Sequence, residues 1–99
     1  MQAVYAKSIE TIALHYGLDH QQLKAIEELG EASAAISRYV LDPSDRNLRQ
    51  LAEELADAQI MIDQLLALSP MLKCYFVQKR SYKIERQLMR MADDAKTDF

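Results

Sequence analysis

The sequence predicts an all-α chain folded as an antiparallel four-helix bundle, and three observations lead there. Only two Gly and two Pro occur in 99 residues, about half the residues are apolar and about a quarter are charged, a balance that suits helices better than turn-rich β structure. Apolar residues recur at helical spacing in four segments. Short turn signals separate those segments, and short connections favour antiparallel neighbours. A chain of this length has room for one core, so residues 1–99 read as one domain.

The first helix is expected over about Gln2 to Tyr16, with Val4, Ile9, Ile12 and Tyr16 near one face and Gly17 as its stop. Asp19 followed by Gln22 resembles a capping box that opens a second helix, which runs to Leu41. The stretch "DPSD" at 42–45 ends it, because Pro43 cannot continue the ladder of backbone hydrogen bonds. A third helix spans about Arg46 to Leu68. Ser69 and Pro70 then supply an N-cap and a first-turn proline for a fourth, which reaches about Ala92 before a polar tail from about residue 93 that is expected to fray.

Charge and composition exclude several classes of partner. The formal net charge of -3 argues against bulk attraction to nucleic acid or to an anionic membrane. The N-terminus lacks a basic-then-apolar signal pattern, and Glu53, Glu54, Asp57 and Asp63 interrupt the longest apolar segment, so no membrane span is expected. Cys74 is the only cysteine. A free thiol fits a reducing compartment, and the expected location is cytoplasmic.

The stretch "EELGEASAAI" at 27–36 recurs as "EELADAQIMI" at 53–62. Stepping about 100° per residue, the second helix has an apolar stripe of Ala25, Leu29, Ala32, Ile36 and Val40, with Glu28 roughly a quarter-turn away and Glu31 further round. The third helix repeats the arrangement. Its stripe is Leu51, Leu55, Ala58, Ile62 and Leu66, with Glu54 offset in the same sense and Asp57 beyond it. If the two stripes pack in an antiparallel hairpin, Glu28, Glu31, Glu54 and Asp57 emerge on one side at matching heights, at the margin of the core. Four carboxylates held together are disfavoured by desolvation and mutual repulsion unless a cation offsets them. An all-oxygen ligand set without Cys or His suits Mg²⁺ first and Mn²⁺ second, and Mg²⁺ held this way usually completes its shell with water and substrate phosphates.

These residues resemble the MazG-type all-α nucleoside triphosphate pyrophosphohydrolases, whose signature is E-E-x-x-E followed after a variable gap by E-x-x-D. Here the motif reads Glu27-Glu28-Leu29-Gly30-Glu31 and then Glu54-Leu55-Ala56-Asp57. The flanking "QQLKAIEELGE" and "KIERQLMRM" extend the likeness over about Asp19 to Met91. The resemblance implies a MazG-like fold and Mg²⁺-dependent cleavage of a nucleoside triphosphate to its monophosphate and pyrophosphate. It also implies that Glu28, Glu31, Glu54 and Asp57 ligate metal, with Glu27 as a further catalytic candidate. No Asn follows Asn47 to serve as the downstream polar residue of many relatives.

On the fourth helix Lys79, Lys83, Arg86 and Arg90 share a narrow basic stripe. Lys79, Lys83 and Arg86 are candidates for neutralising a triphosphate, and a solvated stripe or subunit ion pairs are the alternative. Gln21, just ahead of the acids, is a candidate for contacting base or sugar, against a plain helix-surface role. Tyr75 and Phe76 are apolar surface in need of cover, so the chain is expected to form a homodimer or homotetramer.

Overall fold

A computed structural model of the chain describes residues 3–97. A single turn of 3-10 helix at Ala3–Tyr5 leads into four α-helices among the described residues: α1 at Ala6–Tyr16, α2 at Leu18–Leu41, α3 at Asp45–Leu68 and α4 at Pro70–Thr97. The all-α expectation holds. Gln2 lies outside the described residues, and none of the described helices is long and apolar enough to cross a membrane. Packing divides the chain into two compact units, Met1–Ser69 and Pro70–Phe99.

The helix ends follow local chemistry, with departures from expectation at the starts of α2 and α3 and at the end of α4. Gly17 adopts φ 85, a left-handed conformation that glycine takes at no steric cost, and its N–H bonds the Ala13 carbonyl at 2.8 Å to close α1. The same glycine also opens α2. Asp19 therefore stands inside the first turn of α2, where an acid complements the helix dipole, and does not cap it. The third helix begins one residue earlier than expected, and Ser44 caps it by accepting from the Asn47 N–H at 3.2 Å. Asn47 in turn donates its amide to the Asp42 carbonyl at 2.9 Å, which binds the connection between α2 and α3 to both helices. At the other end of the chain α4 runs on through Thr97, so residues 93–97 are helical and not a frayed tail.

Within the first unit α3 is the central helix. It packs chiefly on α2 and also on α1. Ile9 and Ala13 are the buried residues of α1, while Val4, Ile12 and Tyr16 stand largely exposed, so its inward face is narrower than its apolar pattern suggested. The α2 residues that are buried are Gln21, Ala25, Ala32 and Ala35; those of α3 are Ala58, Met61, Asp63 and Gln64. Leu29, Ile36 and Leu55, which the apolar stripes assigned to the core, are 46%, 48% and 47% exposed. The contact face of α2 is thus turned by roughly 60° from its leucine stripe, reckoned at 3.6 residues per turn, whereas on α3 Leu55 is exposed while Leu51, Ile62 and Leu66 of the stripe are half-buried. Small residues line the contact. Alanines let two helix backbones come close, whereas facing leucines would hold them apart.

Candidate metal centre

That rotation moves Glu28 from the margin into the helix contact. It lies on the same face of α2 as Ala25 and Ala32, with its side chain only 15% exposed. From α3, Glu54 sits on the face that carries Ala58 and Met61 and is half-buried, and Asp57 lies one turn further on and is exposed. One carboxylate oxygen from each of Glu28, Glu54 and Asp57 falls within 4.8 Å of the other two. The trio is drawn from both helices, because partners step away from the turn together: Arg38 and Asn47 meet beside it, Glu28 meets Glu54 and Asp57 midway, and Gln21 meets Gln64 at the far end.

The local electrostatics are set by two neighbours on the same helices. Lys24, one turn before Glu28, reaches Glu28 at 3.3 Å and Glu27 at 3.6 Å. Its ammonium is held above the usual lysine range, first by the hydrogen bond to Glu28 and then by the charges of Glu27 and Glu28. The Gln50 amide donates to Glu54 Oε1 at 2.8 Å, which fixes that carboxylate's rotamer. Lys24 is thus the built-in counter-ion of the cluster. The i to i+4 spacing of Lys24 and Glu28 was visible in the sequence, as was the reverse spacing of Gln50 and Glu54.

The remaining sequence candidates are placed as follows. Glu31 is exposed and lies outside the trio. Glu27 is exposed and paired with Lys24. Lys79 and Lys83 are exposed on α4 and Arg86 is half-buried there, all in the second unit, where Lys79 and Lys83 line a shallow groove with Phe76 and Ile84. Gln21 is not helix surface: it is 3% exposed, its Nε2 donates to Gln64 Oε1 at 2.6 Å, and its Oε1 accepts from His20 Nδ1 at 2.6 Å. A separate groove of about 720 Å³ lies between α1 and α3, lined by Ile9, Ile12, Ile60 and the buried Asp63, whose Oδ1 accepts from the Gln59 amide at 3.1 Å. Gln64 and Asp63 were missed because burial of a polar side chain depends on which way its helix faces.

The chemistry of the donor set fits a hard divalent cation. Octahedral Mg²⁺ with oxygens at about 2.0–2.1 Å places neighbouring ligand atoms about 3 Å apart and opposite ones about 4.2 Å apart. Three carboxylate oxygens within 4.8 Å reach that spacing through small side-chain rotations. No Cys or His joins the trio to favour a softer metal. No family model, curated protein or solved structure matches the chain, so the likeness to MazG-type enzymes rests on the motif residues alone.

Proposed function

We propose that the chain is a MazG-like, Mg²⁺-dependent nucleoside triphosphate pyrophosphohydrolase that forms a homodimer or homotetramer in the cytoplasm and clears nucleotides from the pool. The observation that carries this reading is the meeting of Glu28 with Glu54 and Asp57, oxygens within 4.8 Å, from the two halves of the E-E-x-x-E and E-x-x-D motif. An ion there, Mg²⁺ or alternatively Mn²⁺, would be held by Glu28, Glu54 and Asp57 and would offset the charge that develops during cleavage. Water attacks the α-phosphorus, the α–β anhydride bond breaks, and pyrophosphate leaves with the bonding electron pair. A carboxylate of the cluster takes up the proton released by the water.

In this reading Glu28, Glu54 and Asp57 hold metal, Glu31 of the motif stands outside that trio, Glu27 orients water or serves a second metal, and Lys79, Lys83 and Arg86 neutralise the phosphates. The exposed Leu29, Ile36, Val40 and Leu55 support the oligomer, since an apolar face of this kind gains from cover. An antiparallel four-helix arrangement completed by α4 belongs to the same proposal.

Those leucines also favour a second reading, a helical interaction module in which the acids are ordinary surface charge. Thermal melting in rising MgCl₂ separates the two. The hydrolase reading expects a Mg²⁺-dependent rise, about 2.7 kcal/mol of stabilisation at one hundred times Kd, lost in Glu54→Gln. Pyrophosphate release from a panel of ribo- and deoxyribonucleoside triphosphates then separates an enzyme from a nucleotide or metal sensor. No Mg²⁺ response and no release from any nucleotide would sink the proposal.

A further inference from the structure

The geometry points to the Gln21–Gln64 pair as a rotational lock: we infer that it selects the facing of α2 on α3 that turns Glu28 toward Glu54 and Asp57. Each helix carries two stripes that flank the same alanines, centred roughly 100° apart on α2 and roughly 120° apart on α3. One is apolar, with Leu29, Ile36 and Val40 on α2 and Leu55 and Ile62 on α3. The other is small and polar, with Gln21, Glu28 and Ala35 on α2 and Glu54, Met61 and Gln64 on α3. Ala25, Ala32 and Ala58 lie between and serve either facing.

Burial of apolar area alone favours the leucine facing, because three or four large side chains would leave water. The hairpin adopts the other one. Leu29, Ile36 and Leu55 remain about half exposed while Gln21 and Gln64 are 3% and 2% exposed. Something directional must therefore distinguish the two, and a buried side-chain hydrogen bond is the device best known for choosing between near-equivalent helix packings. Here it is saturated along its length: His20 Nδ1 donates to Gln21 Oε1, Gln21 Nε2 donates to Gln64 Oε1 at 2.6 Å, and Gln64 Nε2 donates to Met61 Sδ at 3.6 Å. None of the buried polar side-chain atoms among the described residues lacks a partner, so this facing does not leave an amide stranded.

The pair's position suits the role. Gln21 precedes Glu28 by seven residues and Gln64 follows Asp57 by seven. Seven residues are close to two turns, about 10.5 Å along the axis, and return a side chain to nearly the same azimuth. A facing that joins the amides accordingly joins the acids. The connection capped by Ser44 and Asn47 holds one end of the hairpin, the glutamines hold the open end, and the carboxylates lie between. These glutamines are positioning residues. Their link to cation binding rests on the hydrolase reading, but the facing itself does not.

The test is methyl NOE spectroscopy on the full chain, wild type and Gln21→Leu/Gln64→Leu. Wild type should link Ala25 to Met61 across the hairpin. In the double variant, with helicity retained by circular dichroism, that signal should give way to NOEs that join Leu29 to Leu55 and Ile36 to Leu51. Gln64→Glu keeps an acceptor for Gln21 Nε2 and should restore the wild-type signal, which a pair that merely adds stability would not require. Should the leucine variant not fold, Gln21→Met/Gln64→Met carries the same expectation. Wild-type NOEs in either folded double variant, or folding lost in both, would overturn the inference. MgCl₂ titration of the same samples keeps the two ideas apart. Switched NOEs with no Mg²⁺ response even in wild type would retain the lock and reject the hydrolase.

Discussion

The two sides of the α2–α3 hairpin carry opposite chemistry. The inner face is alanines, two glutamines and two glutamates, and the face beside it shows Leu29, Ile36, Val40 and Leu55 to solvent. A hairpin built only to bury hydrocarbon would have these reversed. The difference teaches that close backbone approach and paired polar groups are what this contact conserves space for, and acids that approach across it are the consequence. The two units of the chain differ in the same spirit: the first holds eleven acidic and five basic side chains, the second four and seven.

Several changes would break or sharpen that contrast. The largest effect is expected at the acids, where Glu54→Gln should lower pyrophosphate release by about a hundredfold or more, the scale of losing a key electrostatic group, and remove the Mg²⁺-linked melting shift. Next comes the alanine seam. Ala35 is 1% exposed, so Ala35→Leu should cost about 1–3 kcal/mol by overpacking, read from urea midpoints with an unchanged m-value. Ser44→Ala removes the cap on α3 and should cost about 1 kcal/mol in the same assay. On the neighbouring face, Leu29→Ser should shift the chain toward monomer in sedimentation while changing the stability of the dilute monomer by no more than about 0.5 kcal/mol; a loss of several kcal/mol in the monomer would mean that the leucine face is the true contact within the hairpin.

The smallest and most diagnostic change is at Lys24. Lys24→Met removes the resident counter-ion of Glu28 and should tighten Mg²⁺ binding while slightly destabilising the ion-free chain. Because the folded lysine titrates above its ordinary value of about 10.4, its stabilising contribution is complete below that value and fades as pH rises through the raised one. Urea midpoints of wild type and variant should thus differ at pH 7 and converge in strong alkali. Unequal midpoints at high pH would assign the lysine's effect to packing of its stem.

How much was legible varies with how local the signal is. Gly17, Pro43 and Pro70 act through their own backbone, and all of them fall at helix boundaries. The overreach at Asp19 is of the same local kind: Gly17 supplied the helix start first. Helical wheels carried the argument further, to acids of α2 and α3 on one side of the hairpin, yet misjudged the facing by assuming that the most apolar line is the contact. Gln21 illustrates the cost. Its spacing matched Ala25 and Ala32 all along, but an amide gives no sign in sequence of whether it will be sealed against another amide 43 residues away.

The sequence by itself determined four helices, the breaks between them, and the duplicated carboxylates, because breakers and the 3.6-residue period are properties of neighbouring residues. Only the tertiary structure decided which stripe of each helix meets the other, and with it that Glu28 joins Glu54 and Asp57 while Glu31 stays outside. The reason is physical: two stripes flanking the same alanines differ by a rotation of the helix, and that choice is made by packing distance and a single buried hydrogen bond between residues far apart in the chain.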